Sequence, residues 1–510
     1  MNQVAVRPSA LVSQLSPFEI FVPPAIITGL MWFTKANPVT LVELACSYVM
    51  LQLVIGSYLL WKQQNRANLP LFAMIGAVYW IYFALTMIWG GRLISTTIRI
   101  IFISEERAED AMIMALVASV CLLVGMQAPC RWVRTGRLPS ISESVGSSWF
   151  YIRILVVAGS VAVFFPSLNF MLGAAGRNPM VILLNIVPLV AFLLLLKRFI
   201  MGNASPIDKP LVIAAALLRV GGGIAAGWLG SALTWVIAGL VLYVALRRRI
   251  PWVALLLAVF SIMFLQAGKQ AFRGVYWESG IQGASATSGG VWERVQFWFD
   301  ASAEQWSGAL QADAPVRSTQ ATTALLERAS LLTQVAHVLE VTPSEVPFQQ
   351  GSTYTYLLVS LIPRFLWPNK PTVSDANRYY QIAYGLSNER AIKQTSISVG
   401  SMAEGYINFG WLGVVVVMLG IGVILRIYDQ VFLANRSNAL ILCIGIALIP
   451  QLLSIESQLG QYLGGILQDI ALTLLVFLPI TVRPAKKVSP SDPVVRARVR
   501  SVELVSRHIP

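Results

Sequence analysis

Long apolar stretches alternate with short polar segments along most of the chain. A helix needs about 20 mostly apolar residues to cross the roughly 30 Å hydrocarbon core of a bilayer. The pattern predicts twelve spans and hence an all-α polytopic membrane protein. The spans cover residues 17–34, 39–61, 69–90, 110–130, 149–172, 179–196, 210–228, 231–246, 251–267, 408–425, 438–456 and 461–481.

The basic residues indicate the orientation of these spans. With the N-terminus in the cytoplasm, the cytoplasmic segments hold more than half of the 38 Lys and Arg residues but only 5 of the 24 acidic residues. Cytoplasmic loops of membrane proteins are enriched in Lys and Arg in this way. We therefore expect both termini to be cytoplasmic, with residues 483–510 forming a basic tail.

Composition supports the same class of protein. The chain is 56% hydrophobic and only 12% charged, with a mean hydropathy of +0.67, whereas soluble domains are about 25% charged. A net charge of +14 would suggest nucleic-acid binding in a soluble chain. Here the cytoplasmic loops account for it, and we expect no nucleic-acid partner. The four cysteines lie in or beside apolar segments and are expected to be buried free thiols: Cys46, Cys121, Cys130 and Cys443.

One connection is much longer than the others. Residues 268–407 separate the nine spans of residues 1–267 from the three spans of residues 408–482, and the topology places them on the outer face of the membrane. Within them, residues 322–341 show the spacing of an amphipathic helix. Residues 354–367 are apolar but too short to span, which predicts an interfacial or re-entrant element. Long loops of this kind are usually functional.

An arginine interrupts the seventh predicted span. Arg219 lies in LVIAAALLRVGGG, near the middle of the bilayer, where a charge costs several kcal/mol. One interpretation is an anion-binding residue that faces a water-filled cavity. The alternative is an arginine that snorkels or pairs with a membrane acid such as Glu43 or Asp469.

Further cations lie where the chain enters and crosses the outer loop. Lys269 and Arg273 flank Phe272 as the ninth span ends, a position that suits a lipid phosphate. The string IPRFLWPNKP at residues 362–371 holds Arg364 and Lys370 on a backbone stiffened by three prolines. Arginine binds phosphate bidentately and lysine supplies a point charge. We expect both to bind a diphosphate.

A carboxylate and two aromatic residues complete the predicted site. Glu404 lies in GSMAEGYINFG, at the boundary between the loop and the tenth span, where it is a candidate general base. The alternative is an acid that stabilises a helix N-terminus. Trp367 and Tyr406 are expected to contact a sugar or a lipid.

Several signatures are absent from the sequence. The outer loops contain no DxD pair, and the chain has no Walker A motif, HExxH, GxSxG or zinc-ligand set. No metal or other cofactor is therefore expected. The two histidines are His508, in the cytoplasmic tail, and His337, for which we expect a structural role. A lipid-diphosphate donor fits this set, because cations can stabilise the leaving group without a metal.

Five segments of the sequence resemble the Wzy-type O-antigen and exopolysaccharide repeat-unit polymerases. The segments are Arg328–Leu332, with its RxxxL pattern, Pro343–Pro347, Gly351–Tyr354, IPRFLWPNKP at 362–371 and AEGYINFGWLG at 403–413. The resemblance covers the outer loop and its flanking spans, and elsewhere only the number and character of the spans agree.

The resemblance implies a function and a setting. It implies a metal-independent glycosyltransferase of GT-C-like architecture in the bacterial inner membrane. This enzyme would transfer a growing glycan from undecaprenyl diphosphate onto an incoming lipid-linked repeat unit. It implies diphosphate binding by Arg219, Arg273 and Arg364, with Arg328 a weaker candidate. Arg273 and Arg364 would stabilise the leaving group in catalysis, and a flippase and a chain-length regulator would act in the same pathway.

Three other functions stay open at this point. An O-antigen ligase has the same architecture and transfers glycan to lipid A core, but usually carries a catalytic histidine in the loop, a context that His337 lacks. A transporter would spread its charged residues along a pathway through the membrane. A non-enzymatic assembly subunit would leave the Arg and Lys set without an explanation.

Overall fold

The computed structural model consists mostly of helices. It describes residues 16–482 except 36–37, 65–68, 90–91, 96–99, 131, 134–137, 142–145, 163–172, 226, 228, 279–289, 311–329, 363–366, 368–369, 372–374 and 390–396.

Helices lie at each of the first nine predicted spans. The helices are α1 (Pro17–Thr34), α2 (Leu41–Gln63), α3 (Leu71–Trp80), α4 (Thr86–Trp89), α5 (Glu105–Met126), α6 (Gly146–Ala162), α7 (Gly173–Met201), α8 (Asp208–Ala225), α9 (Leu229–Arg247) and α10 (Trp252–Ala267). A π-helical turn, Ile81–Leu85, joins α3 to α4. A hairpin of β1 (Leu93–Ser95) and β2 (Ile100–Phe102) follows α4, with Ile94 opposite Ile101.

Residues 268–407 and the last three predicted spans are also helical where they are described. The helices are α11 (Lys269–Arg273), α12 (Val291–Leu310), α13 (Leu332–Val341), α14 (Thr355–Leu361), α15 (Asp375–Ala383), α16 (Gly400–Tyr428), α17 (Ala439–Leu452) and α18 (Leu459–Phe477). Short π-helical and 3-10 segments extend them at Gly274–Glu278, Ser352–Tyr354, Asp429–Leu433 and Leu478–Ile480. Strands β3 (Ser140–Ile141) and β4 (Thr481–Val482) pair antiparallel.

Seven of the described helical segments are long and apolar enough to cross a membrane, so the chain has the character of a membrane protein. They are Pro17–Thr34, Leu41–Gln63, Leu71–Ile88, Glu105–Met126, Ile182–Met201, Gly400–Leu433 and Leu459–Ile480. Four shorter apolar helices lie at Gly146–Ala162, Ala232–Arg247, Trp252–Ala267 and Ala439–Leu452. Helix α8, which contains Asp208, Lys209 and Arg219, is in neither group.

Local sequence explains where several helices begin. Thr40 and Glu43 form a reciprocal capping box at the start of α2, which satisfies backbone N–H groups that have no partner within the helix. Ser104 caps α5 through a hydrogen bond from the Arg107 N–H, and Asn438 caps α17. Thr40 and Asn438 precede apolar runs, and Ser104 precedes two glutamates in the first turn of α5, both patterns that mark a helix start.

The most extensive helix pairing joins α5 to α16. Their backbones meet at Gly125 and Gly422, where a Cβ on Gly422 would lie 2.8 Å from the Gly125 Cα and collide with the Leu122 carbonyl. Small residues allow such close approach between helices in membranes. This crossing fixes the part of α16 that follows the kink at Gly410 against α5 in the first half of the chain.

Helix α16 contains a sharp kink at Phe409 and Gly410. Gly410 has φ 61° and ψ −148°, a combination that is essentially restricted to glycine. The segments on either side fold towards each other, so that a Cβ on Gly405 would lie 2.8 Å from the Gly413 carbonyl oxygen. The kink falls where we expected the loop to end and the tenth span to begin, although the helix itself begins earlier, at Gly400.

Replacing Gly422 with alanine should destabilise the protein, because the added Cβ meets backbone atoms of α5 that cannot yield. We expect a loss of about 1–3 kcal/mol, the usual cost of overpacking, seen as a lower midpoint of thermal unfolding in detergent. Gly420 offers a matched control on the same helix, since a Cβ there meets nothing within 4 Å. An equal effect of Gly420→Ala and Gly422→Ala would contradict this packing.

Candidate functional site

Arg219 is buried among α6, α7, α8 and α9. Its Nη1 donates to Asn185 Oδ1 at 3.2 Å and its Nη2 donates to the Leu184 carbonyl. That carbonyl is available because residue 188, four positions later in α7, is proline and has no N–H to donate. The guanidinium also lies 5.0 Å from the centre of the Trp235 ring, at cation–π distance.

The two acids considered as partners of Arg219 have other neighbours. Glu43 accepts two hydrogen bonds from Arg92, at 2.8 and 2.9 Å. Asp469 has a hydrogen bond with Gln451. In the described part of the chain Arg219 therefore does not pair with either acid named in the alternative interpretation, and the neutral carbonyl beside Pro188 is its acceptor instead. Whether Arg219 also binds an anion stays a prediction.

Replacing Arg219 with methionine should destabilise the protein, because the Leu184 carbonyl loses its donor. An unsatisfied buried carbonyl costs about 1–3 kcal/mol. Adding Pro188→Ala should recover part of this loss, since residue 188 then supplies an N–H to Leu184. Thermal unfolding of both single variants and of the double variant measures the coupling. Strictly additive effects would show that Pro188 and Arg219 do not share this carbonyl.

Glu404 joins three segments at the outer end of α16. Its Oε1 accepts a hydrogen bond from Thr353 Oγ at 2.8 Å, and its Oε2 accepts one from the Leu459 N–H at 2.6 Å. Leu459 is the first residue of α18, whose own N-cap residue, Gln458, makes no capping hydrogen bond. Glu404 thus caps α18 from a different helix, and a carboxylate is favourable there because of the helix dipole.

Asn408 extends the same network to the loop. It donates to Thr353 Oγ and to the Glu404 carbonyl, both at 2.8 Å, and its Oδ1 accepts from the Gly351 N–H at 2.9 Å. Glu404 and Asn408 are fully buried. The arrangement resembles the capping alternative for Glu404, and its role as a general base stays a prediction.

Replacing Glu404 with alanine should weaken the contact between the loop and α18. Two buried donors, on Thr353 and Leu459, lose their acceptor, so we expect a stability loss of about 1.5–3 kcal/mol. Glu404→Gln keeps one acceptor oxygen and should cost less. Glu456→Ala removes an exposed carboxylate nearby and should have little effect. Thermal unfolding and protease sensitivity of the loop measure the differences. Equal losses of stability in the Glu404→Ala and Glu456→Ala variants would show that the Glu404 carboxylate does not hold the loop against α18.

The apolar element of the loop, α14, runs alongside α18. Just before α14, Thr353 donates to the Glu404 carboxylate, which also accepts from the Leu459 N–H at the start of α18. Near the other end of α14, the Ser360 side chain packs against Gly464, and the Ser360 carbonyl accepts a hydrogen bond from Gln468. Leu459 and Gln468 are nine residues apart, roughly 13 Å along the helix axis. Helix α14 therefore lies beside the first half of a helix long enough to span, a placement that fits the predicted re-entrant element.

Lys370, in the proline-rich string, contacts the C-terminal end of α14. Its Nζ donates to the carbonyls of Val359, Ser360 and Ile362 at 3.1, 3.4 and 2.6 Å. The last carbonyls of a helix have no partner within it, and a lysine near the C-terminus can satisfy them. Lys370 is buried, so a diphosphate would have to replace these acceptors, and diphosphate binding by Lys370 stays a prediction.

The two predicted aromatic contacts differ in exposure. Trp367 is 42% exposed and so has surface available for a ligand. Tyr406 is 9% exposed. Its ring lies edge-on to Phe348 and Trp411, and its hydroxyl donates to the Thr342 carbonyl at 3.5 Å. Tyr406 mainly packs the loop against α16.

The remaining predicted arginines are only partly placed. Arg328 and Arg364 lie outside the described residues, and Arg273 ends α11, with its side chain not described. The position of α11 is informative, because Phe272 packs with Leu265 and Trp298 in a cluster that Ile224 of α8 also contacts. Ile224 is five residues after Arg219, roughly 7–8 Å along the axis. The cluster that contains Phe272 thus contacts α8 about one and a half helical turns from Arg219.

A further cation, Arg107, which no sequence motif indicated, lies near the first turns of α16. Arg107, in the first turn of α5, pairs with Asp110 at 3.0 Å and is 37% exposed in its side chain. Both lie close enough to act electrostatically on the Tyr406 hydroxyl. The available signal was a base in the first turn of a helix, where the dipole disfavours a cation.

His337 belongs to the packed interior of the loop. It is buried, and its Nε2 lies 3.0 Å from the Tyr384 carbonyl. The Tyr384 hydroxyl is 2.5 Å from Thr342 Oγ, and burial raises the pKa of Tyr384 to about 12. These contacts fit the structural role expected for His337.

Comparison with known proteins gives one match. A domain of unknown function, DUF8712, matches residues 224–431. This region runs from the end of α8 through the outer loop to the end of α16, and it contains most of the predicted site residues. No curated protein and no solved structure matches the chain.

Proposed function

We propose that the protein is a polysaccharide polymerase of the bacterial inner membrane. It transfers a growing glycan from undecaprenyl diphosphate onto a lipid-linked repeat unit at the outer face, without a metal. The proposal includes twelve spans in a GT-C-like architecture, with both termini in the cytoplasm. A chain-length regulator and a flippase would act with it.

The placement of α14 is the observation that supports this proposal most. An outer loop packs a short helix along α18, and the chain then enters the string IPRFLWPNKP. Near the end of the string, Lys370 donates to the Ile362 carbonyl, so the string comes back to the C-terminal end of α14. The string thus starts and finishes beside a helix long enough to span, a location that suits the headgroup of a lipid diphosphate, and Arg364 is the residue of the string proposed to bind it.

The reaction requires little of the protein beyond charge and one base. The bond between the anomeric carbon and the diphosphate oxygen breaks as the acceptor hydroxyl oxygen attacks that carbon. The diphosphate leaves as an anion stabilised by Arg364, Arg273 and Arg219. The hydroxyl proton passes to Glu404, for which the Thr353 hydroxyl must turn away from Oε1. Arg107 is a further candidate for binding the diphosphate.

The surroundings of His337 favour a polymerase over a ligase. The Nε2 of His337 lies 3.0 Å from the Tyr384 carbonyl, which can only accept, so this nitrogen carries a proton and does not take one from an acceptor hydroxyl. A transporter stays a second candidate because Arg219 and Asp469 are buried ionisable residues within apolar helices. Such residues often mark transport pathways.

Replacing Arg364 with alanine, at normal protein level in the native host, should reduce the surface polysaccharide from a ladder to single repeat units. The loss of one charge stabiliser should slow transfer by about 100-fold or more. Arg219→Met/Pro188→Ala should recover stability without recovering the ladder. Lys62→Gln, an exposed cation far along the chain, should leave the ladder intact.

Electrophoresis of the extracted polysaccharide separates the alternatives. A full ladder from Arg364→Ala would contradict the role of Arg364. In a gene deletion, long lipid-linked polymer with none on lipid A would indicate a ligase. Repeat units retained on the inner leaflet would indicate a transporter.

A further inference from the structure

A large groove lies beside Trp235, whose ring also contacts Arg219. It has a volume of about 1140 Å³ and is bounded by α7, α8, α9 and the beginning of α10. Its walls are apolar and include Phe192, Leu196, Val236 and Leu240. Ligand pockets for small molecules are usually about 300–1,000 Å³, so the groove has room for a long apolar chain.

Small residues and an exposed helix keep this groove open to the surroundings of the bundle. Gly239 lines it, and a Cβ there would meet only Leu196, at 3.5 Å. Ala254 and Pro251 line it from the start of α10. The next turns of α10 are largely uncovered, with Leu256 65% and Phe260 68% exposed. In a membrane, lipid chains reach the groove along this side.

Two arginines lie at one end of the groove, and they are its only charged lining residues among those the structure describes. Arg247 donates one hydrogen bond to the Ile200 carbonyl, and Arg249 is exposed. No acidic residue in the described part of the chain lines the groove. An apolar interior with a cationic end matches an amphiphile that carries a negative headgroup.

We propose that the groove binds an anionic glycerophospholipid, with an acyl chain between α7, α9 and α10 and the phosphate on Arg247 and Arg249. Basic pockets between membrane helices on the cytoplasmic side bind anionic lipid headgroups in this way. Arg249 contributes more donors to the phosphate than Arg247, which already holds the Ile200 carbonyl. The bound lipid packs against the wall of the groove that contains Trp235. Its binding does not depend on the proposed polymerase activity.

Purified full-length protein tests this site with defined lipids. Detergent micelles are supplemented with phosphatidylglycerol or phosphatidylcholine of the same acyl chains, and bound lipid is counted by native mass spectrometry. We expect phosphatidylglycerol to be retained preferentially. Arg247→Gln/Arg249→Gln should weaken its binding on the order of thirtyfold, from two lost surface charges. Arg247→Lys/Arg249→Lys keeps the charge and should retain the preference.

Two further variants separate the groove from general charge effects. Gly239→Trp fills the groove and should displace the lipid while the arginines remain. Lys62→Gln removes an exposed cation elsewhere and should change nothing. Equal retention of the two lipids by the native protein, or unchanged binding in Gly239→Trp, would overturn the proposal. If Gly239→Trp instead converts a dimer to a monomer without loss of lipid, the groove is an interface between copies of the chain.

Discussion

The carboxylate of Glu404 is the contact on which the packing of the long loop against α16 and α18 depends. It caps α18 at Leu459 and accepts from Thr353 in the loop, while its own backbone belongs to α16. One buried group therefore fixes three segments that are distant in sequence. Because the kink at Gly410 reverses the chain a few residues later, the same contact sets how the loop meets the spans.

A shared requirement explains the buried cations. Backbone carbonyls removed from water must find hydrogen-bond donors. Two cations supply these donors at positions where the helix has no backbone N–H to offer. Arg219 donates to a carbonyl released by Pro188, and Lys370 donates to the last carbonyls of α14. Mid-helix prolines and helix ends within the bundle are thus predictable places for a cation. Both cations were expected to bind a diphosphate, and their first partners are carbonyls of the chain.

The sequence was informative about helices and less so about partners. Apolar length predicted a helix at every predicted span, and the loop boundary near residue 408 coincided with the kink at Gly410. The crossing of Gly125 with Gly422 was not foreseeable, because it depends on which helices meet. Neither were the Glu43–Arg92 pair or the cap on Leu459, since hydrogen bonds between distant segments leave no periodic signal. The exposure of Trp367 and the burial of Tyr406 were not predictable either, because they also depend on which distant segments pack together.

Glycan transfer between lipid-linked repeat units can be measured directly with the purified protein. The protein is incubated with undecaprenyl-diphosphate-linked repeat units in the presence of a chelator, and the products are separated by electrophoresis. We predict a ladder of lipid-linked oligomers, formed by the native protein and lost in Arg364→Ala. Unchanged repeat units, with a protein shown to be folded by its unfolding midpoint, would contradict it.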